Sequence, residues 1–297
     1  MTFISVREAA ALWGVSERSV RTYCAAGRVD GAILAGKTWL IPEGAEKPSR
    51  KPRADAVPAS LLTILKREKE SSLPGGIYHK VQIELTYNSN HMEGSRLTHD
   101  QTRYIFETNT IGVSDGSINV DDVVETANHF RCIDRIIEAA NAPVTEGLLR
   151  ELHRILKNGT QDSRKSWFAV GDYKKLPNEV GNRETTPPEK VAAEMRALIG
   201  QYNQTKEKTL EEILDFHHRF ECIHPFQDGN GRVGRLILFK ECLRHRIVPF
   251  IIDEELKLFY YRGLAEWPRE HGYLTDTCLA AQDEFKRYLD YFKIAYS

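Results

Sequence analysis

Long apolar runs are missing from this chain of 297 residues. No stretch approaches the roughly 18 consecutive apolar residues that a membrane-spanning helix needs, so nothing in it reads as a helical span. The first residues, Met1 to Glu8, lack a basic segment followed by a long apolar one. No secretory signal is read there, and a cytoplasmic protein is expected. Cysteine is scarce: Cys24, Cys132, Cys222, Cys242 and Cys278 are odd in number, scattered and never in a C-x-x-C pair. Reduced thiols are expected, and a disulfide framework is excluded. An excess of either charge is also absent, since 41 basic and 42 acidic residues leave a net charge of -1. Any contact with nucleic acid must therefore come from a local patch. Internal repeats and low-complexity tracts are not found. What remains, 41% hydrophobic and 28% charged residues, is the composition of a soluble globular protein long enough for two domains.

Residues 1–45 read as a unit of their own. Val6 to Trp13 suits a short helix, Gly14 a turn, and Ser16 a cap for a second helix from Glu17 to about Ala26, which Gly27 stops. Ala32 to Leu34 and Thr38 to Ile41 flank a turn at Ala35, Gly36 and Lys37, a small hairpin or wing. This arrangement resembles the winged helix-turn-helix of the MerR and excisionase type. Arg18 and Arg21 lie on what would be its recognition helix, and DNA is the partner the resemblance implies. The balance of nine basic and six acidic side chains over residues 1–57 is weak for a DNA reader, so a docking module stays open as the alternative. Residues 46–58, with Lys47, Arg50, Lys51 and Arg53 among prolines, have too little apolar surface to offset ordering and read as a linker.

From Ala59 to the end the apolar residues recur with helical period, so a mostly α core is expected over 59–297. The exception is Trp167 to Pro188, where Gly171, Pro177, Gly181, Pro187 and Pro188 rule out a continuous helix. A loop or short β-hairpin is expected there.

The chemistry concentrates at residues 224–235. Thr209 and Glu212 form a capping box, and Ile213, Phe216, Phe220 and Ile223 follow at helical spacing, so a helix delivers His224 at its C-terminal end. Pro225 blocks continuation, while Gly229 and Gly231 let backbone N–H groups approach an anion. A second helix is expected from about Arg232, with Leu236, Phe239 and Leu243 as its buried stripe and a phosphate-favouring N-terminus. Arg232 and Arg235 fall on its first turn, where both can reach one polyphosphate. Asp228 offers an oxygen ligand suited to Mg²⁺. His224 is the natural general base, since a neutral imidazole accepts a proton near pH 7. His217, His218, Cys222 and His224 lie close together, but their spacing matches no usual structural zinc site.

The segment His-Pro-Phe-Gln-Asp-Gly-Asn-Gly-Arg-Val-Gly-Arg resembles the Fic motif H-P-F-x-[DE]-G-N-G-R-x-x-R at every fixed position. The resemblance, covering roughly residues 80 to 290, implies a protein adenylyltransferase that moves AMP from ATP to a Tyr, Thr or Ser hydroxyl, on itself or on another protein. It implies His224 as base, Phe226 as loop anchor and Asp228 as the Mg²⁺ ligand. Gly229, Asn230 and Gly231 would form the anion hole, with Arg232 and Arg235 on the outer phosphates. Gly231 is similar to the AMP-transferring members rather than to Doc-type kinases, which carry lysine there. Tyr260 and Tyr261 fall where relatives use tyrosine beside the nucleobase, with core packing as the open alternative. Residues 167–188 take the place of the family's target-binding flap.

Ser89 to Gly94 fits the family's inhibitory pattern [ST]-x-x-x-E-[GN], on a helix expected around residues 82–94. By resemblance Glu93 would pair with Arg235 and keep it from the γ-phosphate; it could also orient water for removal of AMP. A homodimer is a further possibility the family raises. The rival reading is a DNA-binding regulator whose Fic domain only senses nucleotide. The complete catalytic set favours an enzyme, because sensing needs no base.

Overall fold

The computed structural model describes residues 2–48, 59–112, 117–181 and 183–296. The chain divides into two compact units, Met1–Val57 and Pro58–Ser297. Most of the expected linker, including Arg50, Lys51 and Arg53, lies outside the described residues.

In the first unit the order is β1 (Phe3–Ser5), α1 (Val6–Trp13), α2 (Glu17–Ala25), β2 (Ile33–Ala35) and β3 (Thr38–Pro42). Ser5 caps α1 through a capping box with Glu8, and Gly14, at φ 63°, closes it. Ser16 then caps α2. The hairpin β2–β3 forms as expected, and β1 adds to it to give an antiparallel sheet of order β1-β3-β2. The sequence reading missed β1, because a three-residue strand shows no measurable alternation. Val6, Ala9, Trp13, Val20, Cys24 and Ile41 form a core belonging to this unit.

The second unit is helical: α3 (Leu61–Ser71), α4 (Ile77–Met92), α5 (His99–Thr108), α6 (Val120–Glu138), α7 (Glu146–Lys157), α8 (Pro188–Tyr202), α9 (Leu210–Ile223), α10 (Asn230–Arg244), α11 (Lys257–Glu266) and α12 (Gly272–Tyr291). Its β4 (Glu179–Val180) and β5 (Arg183–Glu184) pair as a short antiparallel hairpin within the segment expected to be a loop or hairpin. At the centre runs α10, in which every residue from Arg232 to Leu243 is buried. A helix buried all round must be enclosed, and α4, α6, α7 and α9 all pack on it. Among the described residues no helix is long and apolar enough to cross a membrane. The five cysteines are free.

Two helix starts differ from expectation. The helix expected around 82–94 runs from Ile77 to Met92 instead. Gly76 precedes it without a side-chain cap of its own, and Glu68 from α3 accepts from the Tyr78 N–H at 2.9 Å. A cap supplied from another helix leaves no local signature. Likewise α10 starts at Asn230, two residues before the expected Arg232, because Gly229 takes up the left-handed turn at φ 81°.

Candidate active site

The site begins with the way α9 ends. The capping box of Thr209 and Glu212 starts this helix, and its C-cap is His224, held at φ 52°, ψ 61°. Left-handed backbone at a residue with a side chain is unfavourable and persists only where the surroundings enforce it. Pro225 supplies part of that enforcement, since it disfavours the helical region for the residue before it. The turn lifts the imidazole out of the helix line.

The loop behind His224 is closed by side chains. Asn230 accepts from the Phe226 N–H and donates to the Phe226 carbonyl, each at 2.8 Å. The Phe226 ring is fully buried and stacks on His153, with centroids 4.2 Å apart and planes 6° from parallel. The segment before the hairpin lies along the same loop. The Lys174 N–H donates to the Pro225 carbonyl at 2.8 Å, and Asn178 Nδ2 to that of Phe226 at 2.9 Å. Phe226 is thus fixed from both its ring and its backbone. The Asn230 side chain serves the loop, which leaves backbone N–H groups as its offering to an anion.

His224 itself is largely enclosed. Its Nδ1 faces the Glu221 backbone carbonyl and lies 3.8 Å from the Glu221 carboxylate, with no well-formed hydrogen bond among the described residues. Burial, reinforced by the Lys174 ammonium, pushes its pKa down to about 4. The ring is therefore neutral near pH 7, as a proton acceptor must be.

Around the loop stand paired charges. Asp228 Oδ2 receives Lys157 Nζ at 2.7 Å and Arg232 Nη2 at 3.2 Å. Burial acts to raise the Asp228 pKa, but the Arg232 and Lys157 charges outweigh it and hold the group well below the usual carboxylate range. Arg232 also donates to Glu125 of α6. Arg235 donates through Nε to Ser89 Oγ at 3.0 Å, and through Nη2 to the Ser89 carbonyl at 2.9 Å and to Glu93 Oε1 at 2.6 Å. Burial acts to raise the Glu93 pKa too, yet Arg235 and then Arg232 bring it below its ordinary value. Glu93 lies close against Gly231: a Cβ there would stand 2.3 Å from Glu93 Oε1, so the carboxylate would have to shift. The sequence-predicted residues Ser89, Glu93, His224, Phe226, Asp228, Gly229, Asn230, Gly231, Arg232 and Arg235 all meet at this loop.

Tyr260 is the correction. Its ring is 1% exposed and its hydroxyl lies 2.5 Å from Nε2 of the buried His217, so it presents no face to a base. Core packing wins at that position. Tyr261 is the exposed member of the pair, and its hydroxyl reaches the Met92 carbonyl beside Glu93 at 3.5 Å. His217 and His218 are likewise buried, and no group of three or more His, Cys, Asp or Glu among the described residues is placed to hold a metal. Sequence reasoning missed Glu125, Lys157, Lys174, His153 and Glu221. None belongs to the expected loop pattern, and an isolated Lys or Glu in a helix carries no sign that it is buried.

Among the described residues the loop offers a divalent cation one carboxylate, so most of its oxygen ligands would have to come from elsewhere. The single Asp228 carboxylate, about half exposed and kept ionised, suits Mg²⁺ held mainly by phosphate oxygens.

A helical bundle thus encloses a loop that carries His224 from the end of α9 into the buried helix α10. Residues 143–241 match the model of the Fic/DOC family. The chain is 24% identical over 217 residues to protein adenylyltransferase Fic of Nematostella vectensis, covering 70% of this chain and 49% of that protein. It is 28% identical over 225 residues to protein adenylyltransferase Fic of Drosophila willistoni, covering 71% of this chain and 41% of that protein. It thus spans about half or less of the length of these curated relatives. The solved Fic domain containing signaling protein from Bacteroides thetaiotaomicron is 28% identical at a TM-score of 0.58, over 77% of this chain and 90% of that one. Fic-1 from C. elegans, at 18% identity and TM-score 0.61 over 77% of this chain and 70% of that one, shares the fold.

Proposed function

We propose that the protein is an adenylyltransferase held in check by Glu93, which moves AMP from ATP to a protein Tyr, Thr or Ser hydroxyl. The observation that carries this reading is the enclosed His224 beside a helix N-terminus whose arginines are occupied by internal partners. With Nδ1 enclosed, Nε2 is left to take the proton of the acceptor hydroxyl. The acceptor oxygen bonds to the α-phosphorus, and the bond from that phosphorus to the oxygen bridging to the β-phosphate breaks, releasing pyrophosphate. N–H groups of the first turn of α10 stabilise the charge that develops. Mg²⁺, bound by Asp228 and the phosphates, supplies charge neutralisation. Arg235 is free for the outer phosphate only when Glu93 withdraws.

The test is incubation with Mg²⁺ and ATP labelled at the α or the γ position. Label on protein from α but not γ is expected, stronger in Glu93→Gly and absent in His224→Ala. Transfer of γ label, or of neither label by Glu93→Gly, would sink the reading. The names of the curated relatives support it.

A second reading concerns the first unit, whose α2 exposes Arg18 and Arg21, the latter paired with Glu17 at 3.0 Å. We infer DNA as its partner. A gel-shift series is expected to show binding that weakens as salt rises, because phosphate contacts release counterions. Binding insensitive to salt, or none at low salt, favours docking to protein.

A further inference from the structure

Lys157 is the last residue of α7, and its side chain is 3% exposed. Its Nζ meets three carboxylates: Glu125 Oε1 at 2.5 Å, Asp228 Oδ2 at 2.7 Å and Asp162 Oδ2 at 3.2 Å. The backbone at this point is fixed from two sides. Asn128 Nδ2 donates to the Leu156 and Asn158 carbonyls at 3.0 and 2.8 Å, and Thr160 Oγ1 donates to the Lys157 carbonyl at 2.9 Å. The stem lies under the loop, with Cδ 3.8 Å from where a Cβ on Gly229 would stand. Glu125 also accepts from Arg232, and Arg232 donates to Asp228. Lys157, Glu125, Arg232 and Asp228 therefore close a ring of alternating charge, and both cations share one oxygen of Asp228.

We propose that Lys157 is the resident counter-cation of Asp228, a positioning residue that holds the carboxylate before a divalent cation arrives and competes with that cation for it. This rests on the reading of Asp228 as the Mg²⁺ ligand. A divalent cation approaching the carboxylate meets two positive groups already within hydrogen-bond reach of it. Repulsion at that range, in a partly buried site, is strong enough to make metal entry depend on phosphate oxygens that come with the nucleotide. Glu125 acts in the opposite direction: it bridges the two cations and offsets one of their charges, so losing it leaves Asp228 under more positive charge.

The experiment follows binding of a fluorescent ATP analogue as Mg²⁺ is titrated, in the full chain carrying Glu93→Gly, and repeats it with Mn²⁺ read by electron paramagnetic resonance. Adding Lys157→Met is expected to lower the half-saturating Mg²⁺ at least fivefold, Lys157→Arg to leave it within twofold, and Glu125→Gln to raise it. Circular dichroism and melting curves verify that each variant is folded; if Lys157→Met is not, the direction of Glu125→Gln decides. A midpoint unchanged or raised in folded Lys157→Met overturns the inference alone, as does a midpoint lowered by Glu125→Gln. Failure of the Glu93→Gly parent to bind nucleotide at any Mg²⁺ concentration overturns the proposed function, and the inference with it.

Discussion

Arg235 has both of its named partners on one helix turn, Ser89 and Glu93, and the two are unequal. A neutral hydrogen bond is worth about 1 kcal/mol, whereas a hydrogen bond to a charged group, as in the part-buried Arg235–Glu93 pair, is worth about 1.5–3 kcal/mol. Ser89→Ala is therefore expected to raise AMP transfer by at most about tenfold, and Glu93→Gly by clearly more, in the α-label assay. Equal effects would show that the hydroxyl, not the carboxylate, holds the arginine. Glu221 carries a different consequence. Burial pushes its carboxyl up to about 8, above the ordinary 4.5, so the folded protein keeps a proton that the unfolded chain releases. The stabilisation is complete below 4.5 and is lost as pH rises through about 8. Glu221→Gln, neutral in both states, is expected to flatten the fall of melting temperature between those two values. An unchanged alkaline slope would exclude Glu221 as its source.

At the scale of elements, the decisive feature is the junction between α9 and α10. A left-handed His224, Pro225 and a left-handed Gly229 reverse the chain so that α10 packs back on α9. Asn230 joins the two ends of that reversal, and its side chain is the partner of the buried Phe226 N–H. Asn230→Ala orphans that donor, at a cost of about 1–3 kcal/mol. Its unfolding midpoint in urea is expected to fall accordingly, together with weaker nucleotide binding as the loop opens. Loss of binding without loss of stability would assign Asn230 to the ligand instead of to the loop. The same logic separates Phe226 from Tyr260: both are buried aromatics, but only Phe226 belongs to the loop.

Across the whole molecule, the second unit buries several histidines in neutral form. Burial pushes His129, His153 and His217 down to about 3 and His224 to about 4, from an ordinary 6.5. Below 6.5 the unfolded chain takes up protons that the folded one refuses, so stability is present above that value and is lost as pH falls toward 3. Unfolding is expected to absorb protons at pH 5, measurable by calorimetry in buffers of different ionisation enthalpy. No uptake would mean that the histidines are charged in the fold. Each unit also has its own hydrophobic core, and a first unit of this size is marginal by itself. The expected calorimetric trace has a minor transition, removed by Trp13→Ala, beside a major one.

Local chemistry was legible in the sequence wherever cause and effect lie within a few residues. The capping box at Thr209, the turn at Gly14 and the run from His224 to Arg235 are consequences of neighbouring side chains, so a one-dimensional reading finds them. The helical class followed from periodicity for the same reason. Tertiary structure alone decided the rest. Glu68 starting α4, Lys157 gathered on Asp228 and Glu125 on Arg232, and Tyr260 turned inward to His217 depend on which helices meet. Burial is a property of the packed molecule, and it is burial that lowers the His224 pKa and encloses Lys157 in a charge ring.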